Sequence, residues 1–197
     1  MKNILVISGH PSLETSRANK AILSKLENKD VTLHRLSESH RGHQFDVRSE
    51  QDLLIQHDRI VLLFPLYWYS CPAIMKQWID DVFTPGFAYA RNGDKLQGKE
   101  FLVIATVGAP ETGYRAGGFN NYTMDELLRP LQQTVAYVRG KYLSPVFIYE
   151  SVFIDDADMV AAADRVVVAA QNDHDAPDVV YEKLLLKAEA AQIALIQ

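Results

Sequence analysis

Three stretches of the chain, Asn3–Ser8, Arg59–Pro65 and Glu100–Val107, are apolar at nearly every consecutive position rather than at every second one. A strand with one wet face alternates, so unbroken runs of this kind belong to strands covered on both faces, as in a parallel sheet. Parallel neighbours cannot be joined by a tight turn and need a crossover, usually a helix packed on one face. Val31–Leu36 and Leu143–Ser151 complete a set of five candidate strands. The expected fold class is therefore α/β: a five-stranded parallel sheet with helices on both faces.

The intervening segments supply those helices. Arg17–Leu26 repeats apolar residues at Ala18, Ile22 and Leu26, and Pro72 opens a helix running through Val82, since proline suits a first turn. Thr123–Arg139 carries Leu127, Leu131, Val135 and Val138 on one stripe, and Pro130 inside it is expected to bend or split it, with a kink there, because an interior proline removes a hydrogen bond. Asp155–Gln171 is a fourth helix. Asp175 as cap and Pro177 as first residue predict a last helix from about 177 to the C-terminus. Its face of Val180, Leu184, Ala188 and Ala191 is expected to pack on the sheet or on a second subunit. With 197 residues and no internal repeat, residues 1–197 are expected to form a single domain.

Charge and cysteine usage narrow the function classes. A net charge of −5, from 20 Lys and Arg against 25 Asp and Glu, offers no basic field for nucleic acid, and small ligands or proteins are the expected partners. Cys71 is the single cysteine, so neither an internal disulfide nor a cysteine metal cluster is available. The apolar run after Met1 ends at Ser8-Gly9, too short for a signal-peptide core. The longest uncharged stretch, Ile60–Met75, falls short of a membrane span and contains Pro65 and Pro72. A cytoplasmic location is expected.

In open α/β sheets ligands bind beyond the carboxyl ends of the strands, and the segments after strands one, three and four are unusual. The first, Ser8-Gly9-His10-Pro11 through Thr15-Ser16-Arg17-Ala18-Asn19, is rich in hydroxyls and enters a helix. It reads either as a phosphate cradle or as an ordinary helix cap. The second, Pro65-Leu66-Tyr67-Trp68-Tyr69-Ser70-Cys71-Pro72, is either a bed for a flat ring or part of a core or interface. The third, Thr106-Val107-Gly108-Ala109-Pro110 leading to Tyr114 and Gly117-Gly118, permits close backbone approach or is a plain turn.

Taken in order, these segments resemble one family. With Gly9-His10-Pro11, Ser16-Arg17-Ala18-Asn19, Pro65-Leu66-Tyr67-Trp68-Tyr69, Pro72 to Asp80, Gly86-Phe87-Ala88-Tyr89, Thr106 to Glu111 and Leu127 to Leu131, the chain resembles the NAD(P)H:quinone oxidoreductases of flavodoxin-like fold. These are the DT-diaphorase-related flavoproteins that include the ancillary oxidoreductases of bacterial glutathione-gated potassium-efflux systems. The resemblance spans roughly Ile4 to Ser151. It implies strand order 2-1-3-4-5 and two-electron, ping-pong reduction of quinones or similar flat acceptors. It implies FMN as cofactor, with FAD as the alternative, NADPH or NADH as donor, and a homodimer. The efflux systems add a rival role as regulatory subunit of a membrane potassium-efflux transporter, peripheral at the inner face of the membrane; an electron-carrier flavodoxin is a third reading.

By the same resemblance, His10, Ser16, Arg17, Ala18 and Asn19 hold the flavin phosphate. Pro65, Leu66, Tyr67, Trp68 and Tyr69 line the ring, and Thr106, Val107, Gly108 and Ala109 complete its polar contacts. Tyr114 and Asn120 are the candidate catalytic residues at the ring edge, and Phe87 and Tyr89 cover the substrate. The chain departs from the family where Val107 and Ala109 replace a hydroxyl and a glycine, where Tyr67 stands for the usual Gln, and where Asn120 stands close to a histidine position.

Other signals carry less. Gly93–Lys99 has most of a P-loop's spacing, but Glu100 replaces its hydroxyl residue and the segment precedes a strand. His34, His40 and His43 read as a polar loop, and no metal site is expected. Cys71 is either a redox-sensitive thiol at the flavin edge or a buried, inert one. The acidic stretch Glu150, Asp155, Asp156 and Asp158 reads as a helix start favoured by the dipole.

Overall fold

The computed structural model describes residues 2–191. The elements run β1 (Ile4–Ser8), α1 (Arg17–Glu27), β2 (Thr32–Arg35), α2 (Leu36–Ser39), α3 (Val47–Gln56), β3 (Arg59–Pro65) and α4 (Ala73–Val82). They continue with β4 (Glu100–Thr106), α5 (Met124–Leu127), α6 (Arg129–Tyr137), β5 (Lys141–Tyr142), β6 (Val146–Ile148), α7 (Asp156–Gln171) and α8 (Pro177–Ala190). Every strand pair is parallel, in the order β2-β1-β3-β4-β5, with β6 also pairing with β4. This is the flavodoxin-like order.

Side chains alternate across the sheet, so each central strand feeds two cores. Leu5, Ile7, Ile60, Leu62, Phe64, Phe101, Val103 and Ala105 point to one face, where they pack with Met75, Trp78 and Val82 of α4 and with Leu131 and Val135 of α6. Ile4, Val6, Val61, Leu63, Leu102 and Ile104 point to the other, against Ile22 and Leu26 of α1 and Ala162 and Val166 of α7. Arg59, fully buried, closes the end of the sheet opposite the ligand edge. Its Nε donates to Glu100 at 2.8 Å, and its Nη1 donates to the carbonyls of Ala170 and Asn172, satisfying acceptors at the end of α7 that the helix leaves open.

Several expectations need correction. The strand expected over Leu143–Ser151 is two short pieces, Lys141–Tyr142 and Val146–Ile148. Pro145 separates them and has no N–H to give a ladder. The helix expected over Thr123–Arg139 is split, as one of the outcomes expected of Pro130, but the break falls at Leu128 and Pro130 sits in the first turn of α6, where its missing N–H costs nothing. Pro72 is the N-cap of α4 rather than its first residue, and Ala176, not Asp175, precedes α8. Asp175 instead pairs with Lys183. Val180 and Leu184 of α8 are about half exposed, so of that face only Ala188 is buried; the expected continuation past Ala191 lies outside the described residues. His34 is not in a loop but in β2, where its Nε2 lies 2.7 Å from Glu50. Glu50 belongs to α3, a helix that the apolar pattern does not reveal because its buried positions are Glu50 and Leu54.

Candidate functional site

The ligand edge follows from strand register. Ser8 lies opposite Leu63, Pro65 opposite Thr106, and Thr106 opposite Ile148. Each strand is extended by one more bond: Gly9 N–H to Leu63, Leu66 N–H to Thr106 and Val107 N–H to Ile148, all at 2.8 Å. The loops after β1, β3 and β4 therefore leave the sheet side by side. They enclose a cleft of about 400 Å³, within the range of small-molecule sites. His10 and Ser16–Asn19 line it from the first loop, Pro65, Leu66 and Tyr67 from the second, and Thr106 and Gly108 from the third. Thr15, Ser151 and Val152 also line it. The last two come from the β6–α7 connection, which carries no motif in the sequence.

One end of the cleft is built from donors. Ser16 caps α1, its Oγ accepting from Asn19 N–H at 3.2 Å. Asn19 is 1% exposed, and its Nδ2 donates to Ser16 Oγ at 3.0 Å and to Thr106 Oγ1 at 3.1 Å. The N–H groups of Arg17 and Ala18, first in the helix, have no intrahelical acceptor and lie at the positive end of its dipole. His10 is buried, and burial lowers its pKa. Its Nδ1 accepts from Ser12 N–H at 3.1 Å, which leaves the proton of the neutral ring on Nε2. The cations of this segment are engaged elsewhere: the Arg17 guanidinium bonds Ile154 O and Asp156, and Lys20 bonds Glu14 O. The Arg17 side chain is thus turned from the cleft toward α7, which restricts its contribution there to its backbone.

The other end is walled by Leu66 and Tyr67, while Trp68 and Tyr69, expected to line the ring, lie outside the cleft lining. Tyr67 and Ser70 exchange both backbone hydrogen bonds, at 2.9 and 3.0 Å, which closes a two-residue turn with Trp68 and Tyr69 at its centre. Both central residues have positive φ, 47° and 66°, the geometry of a type I′ turn that normally takes Asn or Gly. The turn holds Trp68 at 93% exposure beyond the cleft wall. Tyr69 donates to Asn120 Oδ1 at 3.1 Å, joining this turn to the loop after β4. Gly108 is exposed, and a methyl built on it meets no atom within 4 Å, so a ligand can approach its backbone. Val107 is different. Its side chain is fully buried, its N–H donates to Ile148 and its carbonyl accepts from Ser151 N–H, which removes it from the expected polar contacts. Ala109 does not line the cleft, and its carbonyl accepts from Glu150 N–H.

The remaining candidates lie at or beyond the rim. Tyr114 packs beside Tyr149, ring centroids 6.0 Å apart. Burial and then the neighbouring Tyr69 push its phenol up, so it stays protonated near neutral pH. Asn120 is held near it by two bonds, its N–H donating to the Gly113 carbonyl at 3.0 Å and its Oδ1 accepting from Tyr69, and its Nδ2 is buried without a partner. Phe87 is 7% exposed and belongs to the core, which corrects the expectation that it covers substrate in this protomer. Tyr89 lines a separate cavity of about 330 Å³ between α4 and α6, together with Cys71 and Tyr137. Cys71 is buried and its thiol is pushed up by desolvation, the setting of an inert cysteine. Among the described residues no group of His, Cys, Asp and Glu could hold a metal ion, and no helix is long and apolar enough to cross a membrane.

Known proteins share this architecture. A family model described as flavodoxin-like fold matches residues 2–189. The NAD(P)H oxidoreductase YrkL of Bacillus subtilis (strain 168) is 44% identical over 171 residues, 86% of this chain and 98% of the relative. The glutathione-regulated potassium-efflux system ancillary protein KefG of Cronobacter sakazakii is 42% identical over 147 residues, 74% of this chain and 80% of the relative. Among solved structures, an NADPH-quinone reductase from P. pentosaceus has a TM-score of 0.80 at 31% identity, covering 88% of this chain and 100% of that one. The general stress protein 14 of Treponema denticola, in complex with FMN, also has a TM-score of 0.80, at 29% identity, covering 86% and 98%. The chain belongs to the flavodoxin-like family whose members include NAD(P)H oxidoreductases, quinone reductases and potassium-efflux ancillary proteins.

Proposed function

We propose that this protein is a flavin-dependent NAD(P)H oxidoreductase that reduces quinones or similar flat acceptors by two electrons. The observation that carries this reading is the convergence on one cleft of a neutral donor cradle at His10–Asn19, the Leu66–Tyr67 wall from which the aromatic turn springs, and the open backbone at Gly108. The residues fit a flavin mononucleotide. The free helix N–H groups, Ser16 and His10 Nε2–H suit its phosphate, Leu66 and Tyr67 flank the space for its ring, and the open backbone at Gly108 admits it. FMN is favoured over FAD by the FMN-bound relative; NADPH and NADH both remain donors of this reading. When bound, the flavin supplies hydride-accepting and two-electron chemistry that no side chain here provides.

The protein's own part is binding and orientation. Donor and acceptor would meet the same exposed ring edge beside Trp68 and Tyr69, so they would use it in turn, as ping-pong requires. The backbone N–H of Gly108 would stabilise negative charge developing on the ring. Tyr114, held protonated, and Asn120 would orient the acceptor at the rim. A homodimer would cover exposed rings at this edge, including Trp68, Phe119 and Phe153. Purified protein is expected to be yellow or to bind added FMN, to release FMN on denaturation, and to oxidise NADPH or NADH with a quinone. A protein that takes up no flavin and shows no turnover refutes the proposal.

The likeness to the Cronobacter potassium-efflux ancillary protein favours a second role, as a cytoplasmic subunit bound to a membrane potassium-efflux transporter. Co-purification with such a transporter, and efflux lost on deletion, would support that role; unchanged efflux would refute it.

A further inference from the structure

Resting on the flavin reading above, we infer that Asn19 is a positioning residue. It aims the Ser16 hydroxyl outward and so makes the phosphate end of the cleft a cradle of neutral donors that selects a phosphate ester over the free alcohol. The inference comes from counting hydrogen-bond capacity. A hydroxyl has one proton and two lone pairs. Both acceptor sites of Ser16 Oγ are taken by Asn19, through its backbone N–H at 3.2 Å and Nδ2 at 3.0 Å. Only donation remains to Ser16, and it lines the cleft. Asn19 Nδ2 also donates to Thr106 Oγ1, at 3.1 Å. The Asn19 Oδ1 is buried with no protein partner, so neither hydroxyl turns inward to it. With Arg17 and Lys20 bonded elsewhere, an anion here meets Ser16, His10 Nε2–H and the first helix N–H groups instead of a cation. Such donors reward phosphate oxygens strongly and a neutral alcohol weakly.

The test is a pair of titrations, FMN and riboflavin, followed by flavin fluorescence on wild type, Asn19→Asp, Ser16→Ala and the double variant. Aspartate has the shape of asparagine but no N–H to give, so both hydroxyls turn inward toward it. FMN affinity is expected to fall about 10- to 100-fold, as for loss of a charge-assisted bond, with riboflavin affinity changed by less than about threefold. Because Asn19 acts through Ser16, adding Asn19→Asp to Ser16→Ala should cost far less than in wild type, whereas simple repulsion by the new charge would multiply in full. Asn19→Ala brings no charge and leaves the Ser16 hydroxyl free to rotate, so its FMN-selective loss should be smaller and should vanish on the Ser16→Ala background, which serves if the aspartate variant does not fold. The inference is overturned if Asn19→Asp binds FMN as wild type does, if FMN and riboflavin weaken equally, or if the two losses multiply. A wild type that binds neither flavin overturns the flavin reading and this inference with it.

Discussion

The turn at Trp68-Tyr69 allows stability and function to be moved in opposite directions by one substitution. Trp68 has φ 47° and is 93% exposed, so its ring contributes little burial to the fold while its Cβ sits in the left-handed region. A non-glycine residue there costs about 1–2 kcal/mol, and glycine avoids that cost while losing about 0.5–1 kcal/mol more chain entropy on folding. Trp68→Gly should therefore stabilise the flavin-free protein by roughly 0.5–1 kcal/mol, or about 1–4 °C for a chain of this size. Trp68→Ala keeps the Cβ and should leave stability near wild type. The usual order of alanine and glycine is thus reversed. Urea unfolding followed by far-ultraviolet circular dichroism measures it. Both variants remove the ring, and both should weaken FMN binding by about 3- to 10-fold if the ring contributes an aromatic contact. Equal stability of the glycine and alanine variants, or a less stable glycine variant, would refute the strain argument; unchanged FMN affinity in both would remove Trp68 from the site.

Two further outcomes follow from buried polar groups. The bonds from His34 Nε2 and Trp78 Nε1 both end on Glu50 Oε2, at 2.7 and 2.8 Å. Glu50→Gln can place an oxygen there and should cost about 1 kcal/mol, while Glu50→Leu orphans two donors and should cost about 2–4 kcal/mol; a leucine variant as stable as wild type in urea would contradict this. Burial alone would raise the Glu50 carboxyl, but those bonds hold it below the usual range, so its stabilisation is present at neutral pH and lost as pH falls through its depressed pKa. For His10, burial holds the pKa below 6.5. The unfolded chain then binds a proton that the folded one refuses, and stability present above pH 6.5 is lost as pH falls below it. Thermal melts between about pH 7.5 and about pH 5.5 should show that loss, and His10→Gln should flatten the slope; an unchanged slope would place the ring in water.

The fold was legible where burial on both faces forces one kind of residue into consecutive positions. Ile4–Ser8, Arg59–Pro65 and Glu100–Thr106 read as strands because both sides of each meet a core. The edge beyond β4 was less legible, since β5 and β6 are short and Pro145 parts them. Helix α3 escaped detection for a chemical reason: the position it buries most deeply beside Leu54 is Glu50, whose partners His34 and Trp78 come from β2 and α4. No local pattern reports that a carboxylate is satisfied from elsewhere in the chain.

The site divides along the same line. Residues whose place depends on a strand end, such as His10, Leu66, Thr106 and Gly108, converge because the parallel register brings those ends together. Residues whose part depends on side-chain direction could not be assigned from position alone. Arg17 stands in the phosphate-binding segment, yet its guanidinium is held by Asp156 and Ile154 O; Val107 stands in the ring-binding loop, yet its side chain enters the core. Asn19 is the converse case. It is almost completely buried and touches the cleft mainly through Ser16 and Thr106, which lie at the ends of two different loops. A cofactor site of this type is therefore specified twice: strand register decides which backbones meet, and buried amides decide which way the hydroxyls between them point. Register can be read along a chain from apolar runs, whereas hydroxyl direction emerges only once residues 16, 19 and 106 are in contact.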